Sequence, residues 1–153
     1  MGRIKFYKDA TKAGLPFICI DGGEAHNVVM LIDTGSTDNI LFGYAYQQVK
    51  HQLKEVEGDY RVTGVDGKPM KVTKVMGHMP FCGNNYEMSF LVRDEDDAGR
   101  ALSVEYGLTI IGMIGTHFMA EHDWVIDFRK QEVIIPDTDV TLEKLRKSTN
   151  CIV

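Results

Sequence analysis

An apolar stretch that ends in an acid places the strongest constraint on the fold of this 153-residue chain. Residues 26–33 read HNVVMLID, and from Asp33 the chain continues Asp-Thr-Gly-Ser. The apolar run predicts a largely buried strand, and the glycine that follows permits a tight turn. Two interpretations stay open at this point. Asp33 either forms an Asx-type turn after the strand, or it is a sheltered carboxyl group that does chemistry.

Short β-rich runs separated by turn residues make up most of the remaining chain. The predicted strands and hairpins are 3–7, 15–20 paired with 26–33 across DGGE, 59–82 around Asp66-Gly67, 85–94, 108–115 and 123–135 around Arg129-Lys130. Many short strands with little helix favour a mostly-β barrel or sandwich.

Helical periodicity is confined to short segments. The predicted helices are 44–56, with apolar residues along one face, 117–122, with Thr116 as its N-cap, and 139–147 near the C-terminus. The acidic segment 94–99 breaks the periodic pattern and is interpreted as a solvated loop.

The composition indicates one folded domain and argues against several classes of function. With 44% hydrophobic and 25% charged residues, the chain has the balance of an ordinary globular domain. Its net charge of -5 opposes nucleic-acid binding by phosphate neutralisation. The histidines and cysteines lack metal-ligand spacing, so we expect no bound metal. We expect a cytoplasmic protein without a membrane partner, because no signal-peptide core and no spanning apolar stretch is found.

An apolar strand that delivers Asp-Thr-Gly-Ser is the signature of an aspartic peptidase, and the chemistry accounts for each residue type. One carboxylate takes a proton from water while a neighbouring carboxylic acid protonates the substrate. Two carboxyl groups held close together do not both ionise readily and share a proton, a behaviour for which aspartic proteases are the standard example. Glycine lets the backbone approach a partner loop and a substrate, and threonine supplies a hydroxyl that ties two such loops together.

The sequence resembles the retropepsin-like aspartic peptidases, including their cellular, non-viral members. The resemblance covers about Lys5 to Ile135 and rests on four segments in the family's order: LIDTGSTDNIL, TGVDGKPM, LTIIGMIGTHFM and HDWVIDFRKQEVI. It implies a mostly-β, closed acid-protease barrel with a flap hairpin and one or two short helices. The domain would span residues 1–136, and 137–153 would form a C-terminal helix or tail to which the family assigns no role.

The resemblance also implies roles for individual residues. Asp33 matches the catalytic aspartate, Thr34 matches the residue that braces paired active-site loops, and Gly35 and Ser36 belong to the same loop. The residues implied to border or cover the substrate are Thr37, Asp38, Val65, Asp66, Gly67, Ile111 and Gly112. Residues 65–67 match the tip of the flap, and Ile111-Gly112 match the segment beneath the catalytic loop.

The chain contains a single Asp-Thr-Gly, whereas the dyad needs two aspartates. The resemblance therefore implies a symmetric homodimer in which Asp33 of each subunit meets its mate at the two-fold axis. Such a dimer hydrolyses peptide bonds in an extended peptide or protein substrate without a cofactor. Viral members often carry an arginine where this chain has Met113, and that arginine ties their dimers together.

Two alternatives stay open. The first is a catalytically silent protein of the same fold that serves as a dimerisation or peptide-binding module. A strict monomer would favour it, because the dyad would stay unformed. The second is a β-domain with a carbohydrate or small-ligand role, which leaves the four matching segments unexplained.

Overall fold

Strands dominate the part of the chain that the computed structural model describes, residues 1–7, 14–19, 28–63, 66–94 and 97–136. The strands are β1 (Gly2–Lys5), β2 (Phe17–Cys19), β3 (Val28–Ile32), β4 (Ile40–Phe42), β5 (Lys54–Thr63), β6 (Pro69–Phe81), β7 (Asn84–Arg93), β8 (Thr109–Ile114), β9 (Val125–Asp127) and β10 (Glu132–Ile135). The helices are α1 (Gly43–Val49), α2 (Asp97–Tyr106) and α3 (Thr116–Glu121), with a 3-10 turn at Lys50–Gln52. The mostly-β prediction is confirmed. None of the helices in these ranges has the length and apolar character needed to cross a bilayer.

The strands form two sheets that meet at one corner. The larger sheet has the order β2-β3-β8-β4-β7-β6-β5, and the smaller has the order β1-β10-β9. An isolated antiparallel bridge between Phe6 and Ile18 joins them. The closed barrel implied by the resemblance is not seen among the described strands, since the edge strands β2 and β5 do not pair. Most side chains of β5 are exposed, so this strand offers little apolar surface against which a barrel could close.

The larger sheet carries apolar side chains on both faces, as the alternation of a buried strand requires. On β3, Met30 belongs to one core cluster and its neighbour Val29 to the other. The first cluster includes Phe118 of α3 and Val133 of the smaller sheet. The second cluster is covered by α2, whose Leu102 packs against it. Burial on both faces therefore explains the near-continuous apolar runs of the central strands.

The position of β8 between β3 and β4 determines where the Asp33 loop lies. Strand β8 pairs parallel with β3 and antiparallel with β4. The connection from β3 to β4, residues 33–39, therefore passes over the end of β8. Gly112 makes this packing feasible, because a Cβ at this position would collide with the carbonyl oxygen of Ile40.

The three predicted hairpins are confirmed as strand pairs. Strands β2 and β3, β5 and β6, and β9 and β10 each pair antiparallel. The DGGE turn between β2 and β3 lies outside the described residues, as does the whole of 137–153 with its predicted helix. The β5–β6 register shifts between Val56 and Tyr60, which marks a bulge that bends this hairpin.

The helix predictions need correction at three places. The helix predicted over 44–56 ends at Val49, and the chain enters β5 at Lys54, because pairing with β6 outweighs the helical spacing of the apolar residues. Helix α2 was not predicted, and its first turn falls within the segment 94–99 that was interpreted as a loop. Thr116 is the first residue of α3, and the N-cap is Gly115. With α2 included, the described helices exceed the one or two expected.

Candidate active site

The loop of residues 33–39 is anchored to the end of β8 and to the start of α3. The amide of Asp33 donates to the carbonyl oxygen of Ile114 at 3.0 Å. The amide of Thr116 donates to the carbonyl oxygen of Ser36 at 2.8 Å, and the Thr116 hydroxyl donates to the same oxygen at 3.1 Å. The first amides of a helix have no partner within it, and α3 uses two of these donors to hold the loop, since the amide of His117 also donates to the carbonyl oxygen of Thr37 at 3.1 Å.

Asn39 crosslinks the end of this loop to two other elements. Its side-chain amide nitrogen donates to the carbonyl oxygen of Ser89 on β7 at 3.0 Å. Its side-chain oxygen accepts a hydrogen bond from the amide of Gly115 at 2.9 Å. Only 7% of Asn39 is exposed, and both of these bonds span a long stretch of sequence. Sequence reasoning missed this residue, although one polar residue directly before the apolar Ile-Leu-Phe strand is a signal that could have found it.

Asp33 is half-buried, and its own loop orients its carboxyl group. The amide of Gly35 donates to Asp33 Oδ1 at 2.9 Å, which is an Asx-type turn. A Cβ on Gly35 would lie 3.2 Å from the same oxygen, so glycine leaves this carboxylate uncrowded. The turn and the chemical role are therefore compatible, because the turn engages one carboxylate oxygen of a residue that also lines a cleft.

The cleft beside Asp33 has a volume of about 520 Å³, within the usual size range of ligand sites. The loop supplies one part of its lining, and side chains from β4, β5, β7 and β8 supply the rest. The lining residues from the loop are Asp33, Gly35, Ser36, Thr37 and Asp38. Those from the strands are Ile40, Arg61, Val62, Thr63, Arg93 and Met113. The cleft thus combines two aspartates, two arginines and a small apolar surface.

The loop residues predicted from sequence are brought together, with one exception. Thr34 is exposed on the loop and does not line the cleft. Ser36 and Thr37 also bond to their neighbour Asp38: the Ser36 hydroxyl donates to the Asp38 carbonyl oxygen at 2.7 Å, and Thr37 Oγ1 donates to Asp38 Oδ2 at 3.3 Å. These bonds hold the loop in one shape along its exposed edge.

The predicted flap is a hairpin whose strand end, not its described tip, lines the cleft. Asp66 and Gly67 lie in the exposed turn between β5 and β6, where the amide of Lys68 donates to Asp66 Oδ1 at 3.1 Å. Neither residue is among the lining residues, and Val65 lies outside the described residues. The last residues of β5, 61–63, border the cleft in their place.

The segment of Ile111 and Gly112 does not line the cleft, although the resemblance implies that both residues border the substrate. Gly112 is buried between β3 and β4, and Ile111 packs against the first core cluster. The next residue, Met113, lines the cleft. In a regular strand Ile111 and Met113 would share a face, but the register with β3 shifts so that Ile111 is an extra residue between Ile110 and Gly112. This bulge, which the sequence does not show, places the two side chains against different core clusters.

The two arginines are the most consequential residues that sequence reasoning missed. Arg61 lies near the end of β5 and Arg93 at the end of β7. A charged residue at a strand end is ordinary, and no local signal shows that both arginines enter the cleft beside Asp33.

The described ranges contain no candidate metal site. None of them holds a group of three histidine, cysteine, aspartate or glutamate side chains that could bind a metal ion.

Comparison with known proteins places the fold. No protein-family model and no curated protein matches the sequence. Among solved structures, the chain is similar to the retroviral protease-like domain of Ddi1 from Leishmania major, with a TM-score of 0.51 and 15% sequence identity. The match covers 80% of this chain and 87% of that one. At this identity the likeness concerns the fold alone, and it supports a retropepsin-like fold for this chain.

Proposed function

We propose that this chain is an aspartic endopeptidase that acts as a symmetric homodimer, with Asp33 of each subunit forming the catalytic dyad. The observation that carries the proposal is the position of Asp33. It lies on an Asp-Thr-Gly-Ser loop, lines a cleft of about 520 Å³, and shares that cleft with the end of a hairpin strand. The retropepsin-like fold adds support, because the sequence motifs resemble those of peptidases with this fold.

The proposed reaction needs only the two carboxyl groups and water. The ionised Asp33 takes a proton from water while the water oxygen bonds to the scissile carbonyl carbon. The protonated Asp33 of the other subunit gives its proton to the carbonyl oxygen, and a tetrahedral diol results. The second carboxylate then removes a proton from one diol hydroxyl as the carbon–nitrogen bond breaks. The leaving nitrogen takes its proton from the first carboxyl group, which returns the dyad to its starting charge.

The loop geometry is suited to this role. The Gly35 amide fixes the orientation of the Asp33 carboxylate, so little reorganisation is needed when water binds. Thr34 and Gly35 are both exposed in the single chain. In the proposed dimer this exposed part of the loop faces its symmetry mate, and the hairpin of β5 and β6 covers the bound peptide and excludes water.

The direct test is a peptide-library digestion by the wild-type protein and by Asp33→Asn. We expect the variant to lose at least about 1000-fold in kcat/KM, because the amide cannot exchange a proton with water. Glu105→Gln is the matched control, since Glu105 is exposed on α2 and does not line the cleft. A statine-type inhibitor such as pepstatin should block the wild-type activity. An Asp33→Asn protein that cleaves peptides as fast as wild type would refute the proposal.

The homodimer is tested separately by sedimentation at micromolar concentration. Asp38 lines the same cleft, so an intrachain pair with Asp33 is the competing arrangement. If one chain sufficed, an active monomer would be found, and Asp38→Asn would remove activity as completely as Asp33→Asn. We expect dimers, and mixed dimers of wild-type and Asp33→Asn subunits should be inactive. A strict monomer without activity would favour a catalytically silent peptide-binding or dimerisation module.

A further inference from the structure

Two arginines give the cleft a feature that the proposed peptide hydrolysis does not use. Arg61 projects from β5 and Arg93 from the end of β7, and both line the cleft that contains Asp33. Within the described residues, neither arginine forms an ion pair with Asp33 or Asp38, although all four residues line one cleft. The arginines are therefore not simply neutralised by the acids of the loop.

Arg93 has an unsatisfied hydrogen-bond donor. Its Nε is buried and has no hydrogen-bond partner among the residues that the structure describes. Buried donors without a partner are rare in proteins, because each costs the free energy of removing it from water. Arg93 as a whole is only half-buried and lines the cleft, so part of its side chain is accessible to a ligand there. A carboxylate bound in the cleft would pair with the charge of this guanidinium group, which its described loop and strand neighbours do not neutralise.

Arg61 is available to the same acceptor. Among the described residues its ion pair is with Asp59 at 3.4 Å, and the two side chains are 60% and 62% exposed. An ion pair this exposed contributes little to stability, so Arg61 can exchange Asp59 for a better partner at small cost. Because Arg61 belongs to the hairpin and Arg93 to the body of the sheet, a ligand held by both would also tie the hairpin to the body.

We propose that Arg93 and Arg61 form a subsite for an aspartate or glutamate side chain of the peptide substrate, close to the scissile bond. This inference rests on the proposed peptidase function. A guanidinium group binds a carboxylate through two parallel hydrogen bonds, and such charge-assisted bonds are the strong ones. The apolar residues Ile40, Val62 and Met113 of the same cleft would contact the aliphatic part of the neighbouring side chains.

The test compares peptides that differ only at one acidic position. Library cleavage by the wild-type protein identifies the position at which aspartate or glutamate is enriched. The kcat/KM for that peptide should exceed that of its glutamine or asparagine analogue by about 10- to 100-fold. Assays at pH 5 to 6 keep the substrate carboxylate ionised, since its ordinary pKa is about 4. A library profile without any acidic enrichment would overturn the subsite while leaving the peptidase proposal intact.

Variants of Arg93 assign the preference to this side chain. Arg93→Met should bring the ratio between the acidic peptide and its amide analogue close to one, and Arg93→Glu should favour lysine at that position. Arg93→Lys keeps the charge but not the two parallel bonds, so an intermediate ratio is expected. Arg100→Met is the matched control, because Arg100 is exposed on α2 and stacks over Tyr44 outside the cleft. An Arg93→Met protein that is folded and keeps the full wild-type ratio would refute the inference.

A binding measurement separates this inference from the proposed catalysis. The Asp33→Asn protein is titrated with a set of peptides that carry one aspartate or glutamate at successive positions, each beside its amide analogue, and binding is followed by fluorescence anisotropy. Tighter binding of an acidic peptide that disappears in Asp33→Asn/Arg93→Met supports the subsite even if the wild-type protein cleaves nothing. In that case the subsite stands and the peptidase proposal fails. Equal affinity for both peptides of every pair would contradict the subsite.

Discussion

The loop that carries Asp33 and the hairpin that borders the same cleft are held in different ways. The loop is bonded to the end of β8, to the start of α3 and, through Asn39, to β7. Among the described strands, β5 pairs with β6 alone, and the turn between them is closed by a local bond from Lys68 to Asp66. The side chains of β5 are mostly exposed, whereas Asn39 is buried.

This difference teaches that one cleft is built from a fixed base and from the end of a hairpin, residues 60–63 and 69–72, which pairs only within itself because β6 joins β7 from Thr73 onward. The base depends on contacts between residues far apart in the sequence, so its geometry exists only when the whole domain is folded. The hairpin end depends on local pairing and turn geometry, and regions with few buried contacts open at low free-energy cost. Substitutions in the base should therefore affect global stability, and substitutions in the hairpin turn should affect it little.

The largest effect is expected for Gly112→Ala, beneath the loop. The added Cβ collides with the carbonyl oxygen of Ile40, which is backbone and cannot move aside without separating β4 from β8. We expect the free energy of unfolding to fall by about 3 kcal/mol. Urea denaturation followed by circular dichroism measures it. An unchanged midpoint would mean that β3, β8 and β4 are not packed as closely as described.

Asn39→Ala should have the next largest effect. It removes the bonds to Gly115 and Ser89 and leaves a backbone amide and a backbone carbonyl without these partners. We expect a loss of about 2 kcal/mol in the free energy of unfolding. Asn85→Ala is the control, because Asn85 is exposed on β7 and its truncation should change stability little. Equal losses in the two variants would remove the distinction between an anchored loop and an ordinary surface position.

The smaller sheet provides a third, ionic kind of anchoring whose strength depends on pH. Glu132 is 2% exposed, accepts a hydrogen bond from Lys5 at 2.7 Å and pairs with Arg3. The bond from Lys5 is the main cause that lowers the pKa of Glu132; burial opposes it, and Arg3 lowers it further. A lowered pKa adds stability above the pKa of the unfolded chain, and this stability is lost as the pH falls through the folded pKa.

We therefore expect Glu132→Gln to be less stable than wild type at pH 7. The difference should shrink once the pH falls below about 4.3, the ordinary pKa of glutamate. Urea midpoints measured from pH 7 to pH 3 give this comparison. Glu87→Gln serves as the control, since Glu87 is 63% exposed and its ion-pair partner His78 lies 3.9 Å away. A difference between Glu132→Gln and wild type that stays constant over this range would contradict the ionic role of Glu132.

The smallest effect is expected at the hairpin tip. Gly67 has a φ of 76°, a conformation that costs a non-glycine residue about 1 kcal/mol, but a Cβ there would meet no atom within 4 Å. Gly67→Ala should therefore lower the free energy of unfolding by about 1 kcal/mol. The comparison with Gly112→Ala distinguishes the cost of backbone strain at an exposed turn from the cost of steric overlap between β8 and β4. If Gly67→Ala were as harmful as Gly112→Ala, the hairpin would not be independent of the base.

Elements with local signals could be predicted from the sequence. The hairpins around Asp66-Gly67 and Arg129-Lys130 were found because turn residues stand between alternating apolar runs. The end of α1 was misplaced because Leu53 and Val56 continue a helical spacing, although Leu53 already has an extended backbone and Val56 pairs with Lys74 of β6. Helix α2 was not predicted because its start belongs to the acidic segment 94–99, whose composition is typical of a solvated loop. Leu102 and Tyr106, four residues apart on one face, were the available signal.

The sequence alone determined the mostly-β character, the strand that delivers Asp33 and the conformational preferences of the turns, since all of these depend on residues close together in the chain. Only the tertiary structure decided that residues 33–39 are bonded to the start of α3, that the described sheets stay open, and that Arg61 and Arg93 enter one cleft. Parallel pairing of β3 with β8 brings together residues about 80 positions apart. No local propensity encodes such a contact, because it depends on the register of every strand between them.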